Sequence, residues 1–436
     1  MRSTGNPDGR PNPAATSNPI NLGIRGIQGG FTTGSPNLHE FSTVPTIQGG
    51  YDVWEAFTEF DLPLWESDSG ARRLEFNIAG RYSDYSTSGG INSNKIGINL
   101  KIAEFLRFRT TVSRDVREPT FAERFDVQGG GGSTQEHAIA NVPTPDGLPR
   151  TGSSLTTFQI TSTSLGNPDL TPEEADTVTA GFVVQPVSTG LQFSIDWYDI
   201  DLSGAIGQLG VQRIVNECNL DPANTLCQYV FRDPSTRAVT AVRNPWLNIN
   251  NARVRGLDYE LLWNRDLDLL GTEDESLTLR FLAGRLLEDS TTTPGGQPVD
   301  LSGQLNEPEN RALLSARYRF GDFGVGWQQR YIGEAELNGL AITFVQFQPG
   351  LVPTGTQATI DDSTIDAKSY SDLTFFYNRE MVSGQSWELS LSLTNAFDED
   401  PPVIPSFDQR FSSQGNPANA YDVYGRRFLL GFRYRL

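Results

Sequence analysis

Two cysteines and two histidines are the residues in this sequence whose types most often carry nucleophilic, redox or metal-binding chemistry. Cys218 and Cys227 lie nine positions apart, whereas His39 and His137 lie far from both. A structural zinc site needs four ligands at short spacings, and a Cys–His nucleophile needs its two members to be paired. The spacing supports neither kind of site, and two cysteines are too few for a disulfide scaffold.

Carboxylates are abundant, because 53 Asp and Glu against 34 Lys and Arg give a net charge of −19. A glycosidase needs two carboxylates that face each other across a cleft, but among so many acids such pairs arise by chance. We therefore assign no catalytic, cofactor-binding or metal-binding residue. The charge argues against a nucleic-acid partner, since phosphate binding requires clustered Lys and Arg. It fits a solvated surface, a calcium-rich exterior or a site for cationic cargo.

The elements that position these residues are predicted by an alternation of apolar and polar side chains. In one segment Trp387, Leu389, Leu391 and Leu393 point one way, and the Glu, Ser, Ser and Thr that follow them point the other. This period of two is the pattern of a strand with one apolar face. A soluble β-sandwich has the same pattern, so alternation alone leaves both folds open.

The rhythm of the connections favours a membrane barrel. Strands of about ten residues are long enough to cross a bilayer at a tilt. Counted back from the C-terminus, the connections alternate between long and short, as extracellular loops and periplasmic turns do in outer-membrane barrels. We predict thirteen strands, at residues 51–61, 74–84, 91–101, 104–114, 175–186, 191–200, 253–264, 276–287, 311–320, 324–333, 369–379, 386–395 and 426–436.

The last predicted strand carries an apolar or aromatic residue at every second position up to the C-terminus. These residues are Phe428, Leu430, Phe432, Tyr434 and Leu436. The pattern resembles the C-terminal signal of outer-membrane barrels, which implies the barrel assembly machinery as a partner. No run of eighteen apolar residues occurs, so the sequence predicts no transmembrane helix.

Four aromatic residues in the long connections are candidate ligand contacts. They are Trp246, Tyr229, Phe344 and Phe347. An aromatic ring can stack on a ligand, and it can equally pack one loop against another. The sequence leaves both roles open.

Five segments resemble one family in their order along the chain. They are residues 114–125 (RDVREPTFAERF), 167–176 (NPDLTPEEAD), 193–206 (FSIDWYDIDLSGAI), 251–263 (NARVRGLDYELLW) and 391–401 (LSLTNAFDEDP). Together they are similar to strand ends of TonB-dependent receptors, the gated transporters of Gram-negative outer membranes. The resemblance runs from about residue 51 to residue 436, although Glu118 precedes the proline in the first motif.

The resemblance implies an all-β fold, an antiparallel transmembrane β-barrel of twenty-two strands with long extracellular loops, short periplasmic turns and an N-terminal plug. It implies a Gram-negative outer membrane as the location, with membrane lipid and the TonB energy-coupling protein as partners. The expected function is energy-dependent uptake of a scarce nutrient such as a siderophore, a carbohydrate or a cobalamin-like ligand. Transport implies no covalent chemistry, so the protein is predicted not to be an enzyme. The resemblance also implies that Cys218 and Cys227, followed by FRDP at residues 231–234, form a disulfide in an extracellular loop.

The expected domain organisation has two parts. Residues 1–50 are polar and are expected to form a loop or a partial strand, whereas residues 51–436 are expected to supply about thirteen of the twenty-two strands. On this hypothesis the chain is the C-terminal part of a receptor, and the plug that contacts TonB is missing from it. Two other functions stay open: a passive outer-membrane channel and a soluble carbohydrate-binding β-domain.

Overall fold

The main feature of the computed structural model is an antiparallel sheet in which thirteen long strands pair in chain order. The structure describes residues 2–5, 47–136, 156–234, 239–271, 274–292, 298–336, 364–381, 385–402 and 421–435. Each of the thirteen predicted strands is present, so the predicted fold class is confirmed. From β5 onwards the connections alternate between short and long, which defines a long-loop end and a short-turn end of the sheet, and the link between β4 and β5 at the long-loop end is itself short.

The long strands are numbered together with the shorter ones in chain order. They are β3 (Val53–Glu66), β4 (Arg73–Tyr85), β5 (Gly89–Ala103), β6 (Leu106–Arg117), β9 (Glu173–Val184), β10 (Leu191–Gly207), β13 (Leu247–Asp266), β14 (Ser276–Thr292), β16 (Asn310–Phe320), β17 (Phe323–Ile332), β20 (Lys368–Glu380), β21 (Ser386–Thr394) and β22 (Arg427–Arg435). With 17 and 20 residues, β10 and β13 are longer than the alternation predicts. They extend past the long-loop end because their backbones remain paired there.

The long connections contain elements that the alternation does not predict. These are β7 (Val127–Glu136), β8 (Thr156–Leu165), β11 (Val230–Arg232), β12 (Val239–Pro245), α1 (Phe121–Phe125), α2 (Val211–Leu220) and a 3-10 helix at Thr225–Tyr229. The remaining short strands are β1 (Arg2–Gly5), β2 (Ile47–Gly50), β15 (Val299–Asp300), β18 (Ala335–Glu336) and β19 (Thr364–Ile365).

The sheet has one apolar face and one polar face. On β10 and β13, Trp197 lies opposite Leu257 on the apolar face, and the adjacent pair, Asp196 opposite Asp258, lies on the polar face. Polar-face residues from β6 to β17 line a single cavity, so the polar face is the concave inner face. The apolar face is therefore the outer face, as in a membrane barrel.

Aromatic rings form a belt on the outer face at the short-turn end. The ring centroids of Phe320 and Phe323 are 5.7 Å apart, those of Phe323 and Tyr377 are 4.6 Å apart, and those of Tyr377 and Trp387 are 5.0 Å apart. The four rings come from β16, β17, β20 and β21 in turn. Aromatic belts of this kind lie at the boundary between hydrocarbon and water in membrane barrels.

The outer face is not covered by any other layer of the described chain. Ile96 and Val112 are paired on neighbouring interior strands, yet 53% and 56% of their surfaces are exposed. A soluble protein buries such a continuous apolar face, since large exposed apolar patches mark an interaction surface. Among the described residues, none of the helices combines the length and the apolar character needed to cross a membrane.

The strands β3 and β22 are the two edges of the thirteen-strand path. Within the described residues no pairing joins them. Because the number of antiparallel strands is odd, the two edge strands run in the same direction. The outward backbone groups of both edges are therefore unpaired within the described chain.

The two faces of β21 predict opposite responses to a charge. Leu391 lies opposite Phe375 and Leu430 on the outer face, and Ser392 lies opposite Thr374 on the inner face. We expect Leu391→Arg to lower the free energy of unfolding in lipid vesicles by about 2–4 kcal/mol, because arginine would face hydrocarbon. Ser392→Arg is the matched control and should cost far less. Urea unfolding in vesicles measures both, and equal losses would contradict the assignment of the faces.

Candidate functional site on the inner wall and the long loops

The inner face contains a cavity of about 1010 Å³. Strands β6, β10, β13, β14, β16 and β17 line it, together with the end of the connection before β16. Its charged and polar lining includes Arg109, Asp196, Asp258, Glu260, Arg311, Gln328 and Arg330. Such a wall suits a hydrophilic small molecule. The described residues contain no group of three or more His, Cys, Asp or Glu that could hold a metal ion.

Two ion pairs cross the inner wall beside this cavity. Arg109 on β6 donates to both carboxylate oxygens of Asp196 on β10, at 2.8 and 2.6 Å. Arg280 on β14 donates to Glu260 on β13 at 3.0 Å. Exposed pairs contribute only about 0.2–1 kcal/mol each. Their main effect is therefore to hold the charges at defined places on the wall.

The Arg109–Asp196 pair passes over β9 because the intervening residue is a glycine. Gly181 lies opposite Arg109 on one side and opposite Asp196 on the other. A Cβ at position 181 would overlap the Asp196 carboxylate and would lie 2.8 Å from the carbonyl oxygen of Ile195. The absence of a side chain at Gly181 thus allows the two charges to meet.

At the long-loop end, two connections fold into what we call the loop subdomain: β7, β8, β11, β12, α2 and the 3-10 helix. β12 pairs in parallel with β8, which joins connections that lie far apart in the sequence. The core contains Ile214 and Val215 of α2 and Val242 of β12, all fully buried. A disulfide between Cys218 and Cys227, with Cα atoms 4.9 Å apart, joins α2 to the 3-10 helix.

The structure places two of the four aromatic candidates. Tyr229 packs against the core of the loop subdomain. Trp246 lies between β12 and β13, where its backbone N–H donates to the Leu165 carbonyl oxygen at 3.0 Å and its backbone carbonyl accepts from the Asn167 side chain at 2.9 Å. Both side chains are half-buried, whereas Phe344 and Phe347 lie outside the described residues. Ligand contact by these residues stays a prediction.

The motif at residues 114–125 builds a buried network at the long-loop end. Arg124 of α1 is 1% exposed and donates to the Pro168 carbonyl at 2.6 Å and to Glu118 at 2.7 Å. Glu118 also accepts from the Thr87 hydroxyl at 2.9 Å. One buried ion pair therefore joins three connections. Removing either partner of such a pair costs about 3–5 kcal/mol, since the other charge stays buried.

A capping box begins α1. The Thr120 hydroxyl accepts from the Glu123 N–H, and the Glu123 carboxylate accepts from the Thr120 N–H at 2.7 Å. Arg117 donates to the same carboxylate at 3.0 Å and also pairs with Glu173 of β9. Burial opposes ionisation of Glu123, but the hydrogen bonds from Arg117 and Thr120 hold its pKa below the usual range. The Glu123 carboxylate thus links α1 to the end of β6 through its ion pair with Arg117.

Two asparagine side chains stabilise other connections through hydrogen bonds to backbone groups. Asn248 accepts from the Thr171 N–H at 2.9 Å and donates to the carbonyls of Thr171 and Gly204 at 2.8 Å. Asn395 is 1% exposed, donates to the Glu399 carbonyl at 2.9 Å and accepts from its N–H at 2.8 Å. The motifs NPDLTPEEAD and LTNAFDEDP therefore contribute to the structure of strand ends.

The alternation did not single out Gly181 or Arg124 as organising residues. The signal for Gly181 was its inner-face position between charged residues of β6 and β10, which only the strand register reveals. The signal for Arg124 was its place in a motif beside Glu118. The motif can be read from the sequence, but the burial of Arg124 and its bond to Glu118 appear only in the fold.

The chain matches the family model described as TonB dependent receptor-like, beta-barrel, over residues 10–396. The structure of the siderophore receptor PirA from Acinetobacter baumannii aligns with a TM-score of 0.53 and 16% identity, covering 89% of this chain and 46% of that one. A variant of the ferric enterobactin receptor PfeA from Pseudomonas aeruginosa aligns with a TM-score of 0.54 and 13% identity, covering 90% and 45%. At these identities the likeness shows the fold alone.

The chain spans about half the length of the solved structures that it matches. No curated protein sequence matches it.

Gly181→Ala is expected to break the bond between Arg109 and Asp196, because the new methyl group occupies the space of the carboxylate. We expect a loss of about 1–3 kcal/mol in the free energy of unfolding, as in other overpacked sites. The matched control is Gly97→Ala on the inner face of β5, where the nearest atom would lie at an ordinary 3.5 Å. Urea unfolding in vesicles measures both variants, and equal midpoints would rule out the steric argument.

Lowering the pH should destabilise α1 and the connection that contains it. Because the folded pKa of Glu123 lies below the unfolded value of about 4.3, the carboxylate stabilises this connection above that pH. The stabilisation is lost as the pH falls through the folded pKa. Hydrogen-exchange protection of residues 121–126 should fall in that window, and Glu123→Gln should lower it already at neutral pH. Glu104→Gln, in the turn at the opposite end, is the control, and unchanged protection in Glu123→Gln would contradict the assignment.

Proposed function

The chain belongs to the TonB-dependent receptor β-barrel family, and from that premise we propose that it forms part of the wall of a nutrient receptor in a Gram-negative outer membrane. The observation that best supports this proposal is the thirteen-strand sheet with an apolar outer face, an aromatic belt and a charged inner face. In this proposal residues 51–436 are barrel wall and loops, and residues 1–50 are a polar segment before it.

The proposed orientation places the short turns in the periplasm and the long loops outside the cell, as in other outer-membrane barrels. The belt of Phe320, Phe323, Tyr377 and Trp387 then lies at the periplasmic boundary of the lipid. The last strand, β22, presents Phe428, Leu430 and Phe432 on its outer face, which suits recognition by the barrel assembly machinery.

The proposed cargo is a small nutrient of the siderophore type. The receptors named above are described as siderophore and ferric enterobactin receptors, and a family relationship supports a similar task here. The loop subdomain would take part in capture, and the inner cavity would accept the hydrophilic cargo. Energy from TonB would reach the cargo through a plug domain.

Receptors of this family are transporters, which is consistent with the prediction that the protein is not an enzyme. A passive channel and a soluble carbohydrate-binding domain are the other two functions. The exposed outer face and its belt disfavour a soluble domain, because an apolar surface of that size would aggregate in water. The family relationship favours a gated receptor over a passive channel.

Quenching by lipids brominated on their acyl chains tests the membrane assignment. Trp327 lies on the outer face of β17, opposite Leu373 of β20, and Trp246 lies among the long loops. Two variants of the full chain keep one of these tryptophans each and replace the others by phenylalanine. In refolded vesicles we expect strong quenching of Trp327, because it faces hydrocarbon, and little quenching of Trp246. Equal quenching, or none at either site, would refute a membrane-embedded wall.

A further inference from the structure

Four arginines form a column on the inner wall. Arg311, Arg317 and Arg319 occupy inner positions of β16, and Arg330 on the neighbouring β17 lies opposite Leu313. The order from the long-loop end to the short-turn end is Arg311, Arg330, Arg317 and Arg319. The arginine column, defined by these four residues, therefore runs along most of the wall.

Three guanidinium groups of the column have no carboxylate partner. Within the described chain, no acidic oxygen lies within 4.0 Å of Arg317, Arg319 or Arg330, and Arg311 has only Glu307 at 3.4 Å. The adjacent Arg280 is different, because Glu260 neutralises it at 3.0 Å. Arg317, Arg319 and Arg330 are thus unpaired within the described chain, and Arg319 shares a pocket with the carboxylates of Asp266, Asp268 and Asp322.

Aromatic rings hold two of these arginines against the wall. The guanidinium carbon of Arg317 lies 4.6 Å from the centre of the Phe376 ring, and that of Arg330 lies 5.1 Å from the Tyr370 ring. Phe376 itself lies flat on Gly324, whose missing Cβ leaves room for the ring. A stacked guanidinium keeps the N–H donors at its edge free. Both groups can therefore donate pairs of hydrogen bonds towards the interior.

The acidic net charge of the chain does not cancel this column. Many acids at the long-loop end are already paired, namely Glu118 with Arg124, Glu173 with Arg117, Asp199 with Arg253 and Glu288 with Arg255. Asp372, the inner residue of β20 that lies opposite Gln328, accepts from the Asn395 N–H at 2.8 Å. Asp258 lines the same cavity as Arg330 and has no cation within 4.0 Å in the described chain. Arg317 and Arg330, whose guanidinium groups have no acidic oxygen at that distance, are therefore the cationic sites of this part of the wall.

We propose that the arginine column binds the oxyanion groups of a small, multiply charged anionic cargo. Planar guanidinium groups recognise carboxylate, phosphate and similar paired oxygens through two parallel hydrogen bonds. The spacing along the wall offers successive sites, so the anion exchanges one arginine for the next as it moves inward. This inference rests on the proposed receptor function and specifies the chemistry of its cargo, in place of the cationic cargo that the net charge suggested.

Two small oxyanions, pyrophosphate and citrate, serve as probes in the test. Calorimetric titration of the full chain, refolded in detergent, should show saturable binding that weakens with added salt. Arg317→Gln with Arg330→Gln should weaken it by about tenfold or more, because two bidentate donors are lost. The control pair is Arg114→Gln with Arg253→Gln at the long-loop end, which should change the affinity by less than about twofold, since both arginines are already paired.

A second double variant, with lysine in place of the same two arginines, tests the proposal if the double glutamine variant fails to fold. Arg317→Lys with Arg330→Lys retains the charge but loses the planar fork, and should weaken binding by a smaller factor than glutamine. The proposal is overturned if neither probe binds saturably, or if the control pair weakens binding as much. It is also overturned if only polyglutamate binds through the column, since the wall would then dock an acidic polypeptide. Tryptophan quenching in lipid is independent, so the receptor assignment can stand if this proposal fails.

Discussion

Backbone hydrogen bonding is the constraint on which the rest of this structure depends. A strand that crosses hydrocarbon must pair its N–H and C=O groups with its neighbours, because an unpaired group costs several kcal/mol there. The thirteen long strands do so in simple chain order. Once the ladder is formed, each side chain is committed to lipid or to the interior, and a shift of one residue would exchange the faces. The alternation in the sequence therefore reflects the register.

The inner face obeys a different rule, because water reaches it. Charges are tolerated there, and glycines let side chains lie flat across neighbouring strands. Asp196 lies over Gly181, Tyr198 over Gly256 and Phe376 over Gly324. The first arrangement lets Arg109 reach across a whole strand, and the last supports Arg317. Small residues thus decide which charges are neutralised on the wall and which stay available to a ligand.

The long-loop end is built like a small soluble protein. Its apolar core contains Ile214, Val215 and Val242, and a disulfide joins two of its elements. The buried Arg124 and its partner Glu118 fasten the connection after β6 to those before β5 and β9. These features hold the connections together at the long-loop end. The long-loop end and the sheet are therefore stabilised in two different ways within one chain.

The sequence by itself determined the thirteen long strands, their two faces and the family, because period two and short motifs are local properties. It also located the motif that contains Arg124 and the cysteine pair. The tertiary structure alone decided that β8 pairs with β12, that Tyr229 packs in a core, and that Arg109 meets Asp196 over Gly181. These contacts join residues tens of positions apart, and their formation depends on register and loop closure. No local pattern in the sequence encodes those distances.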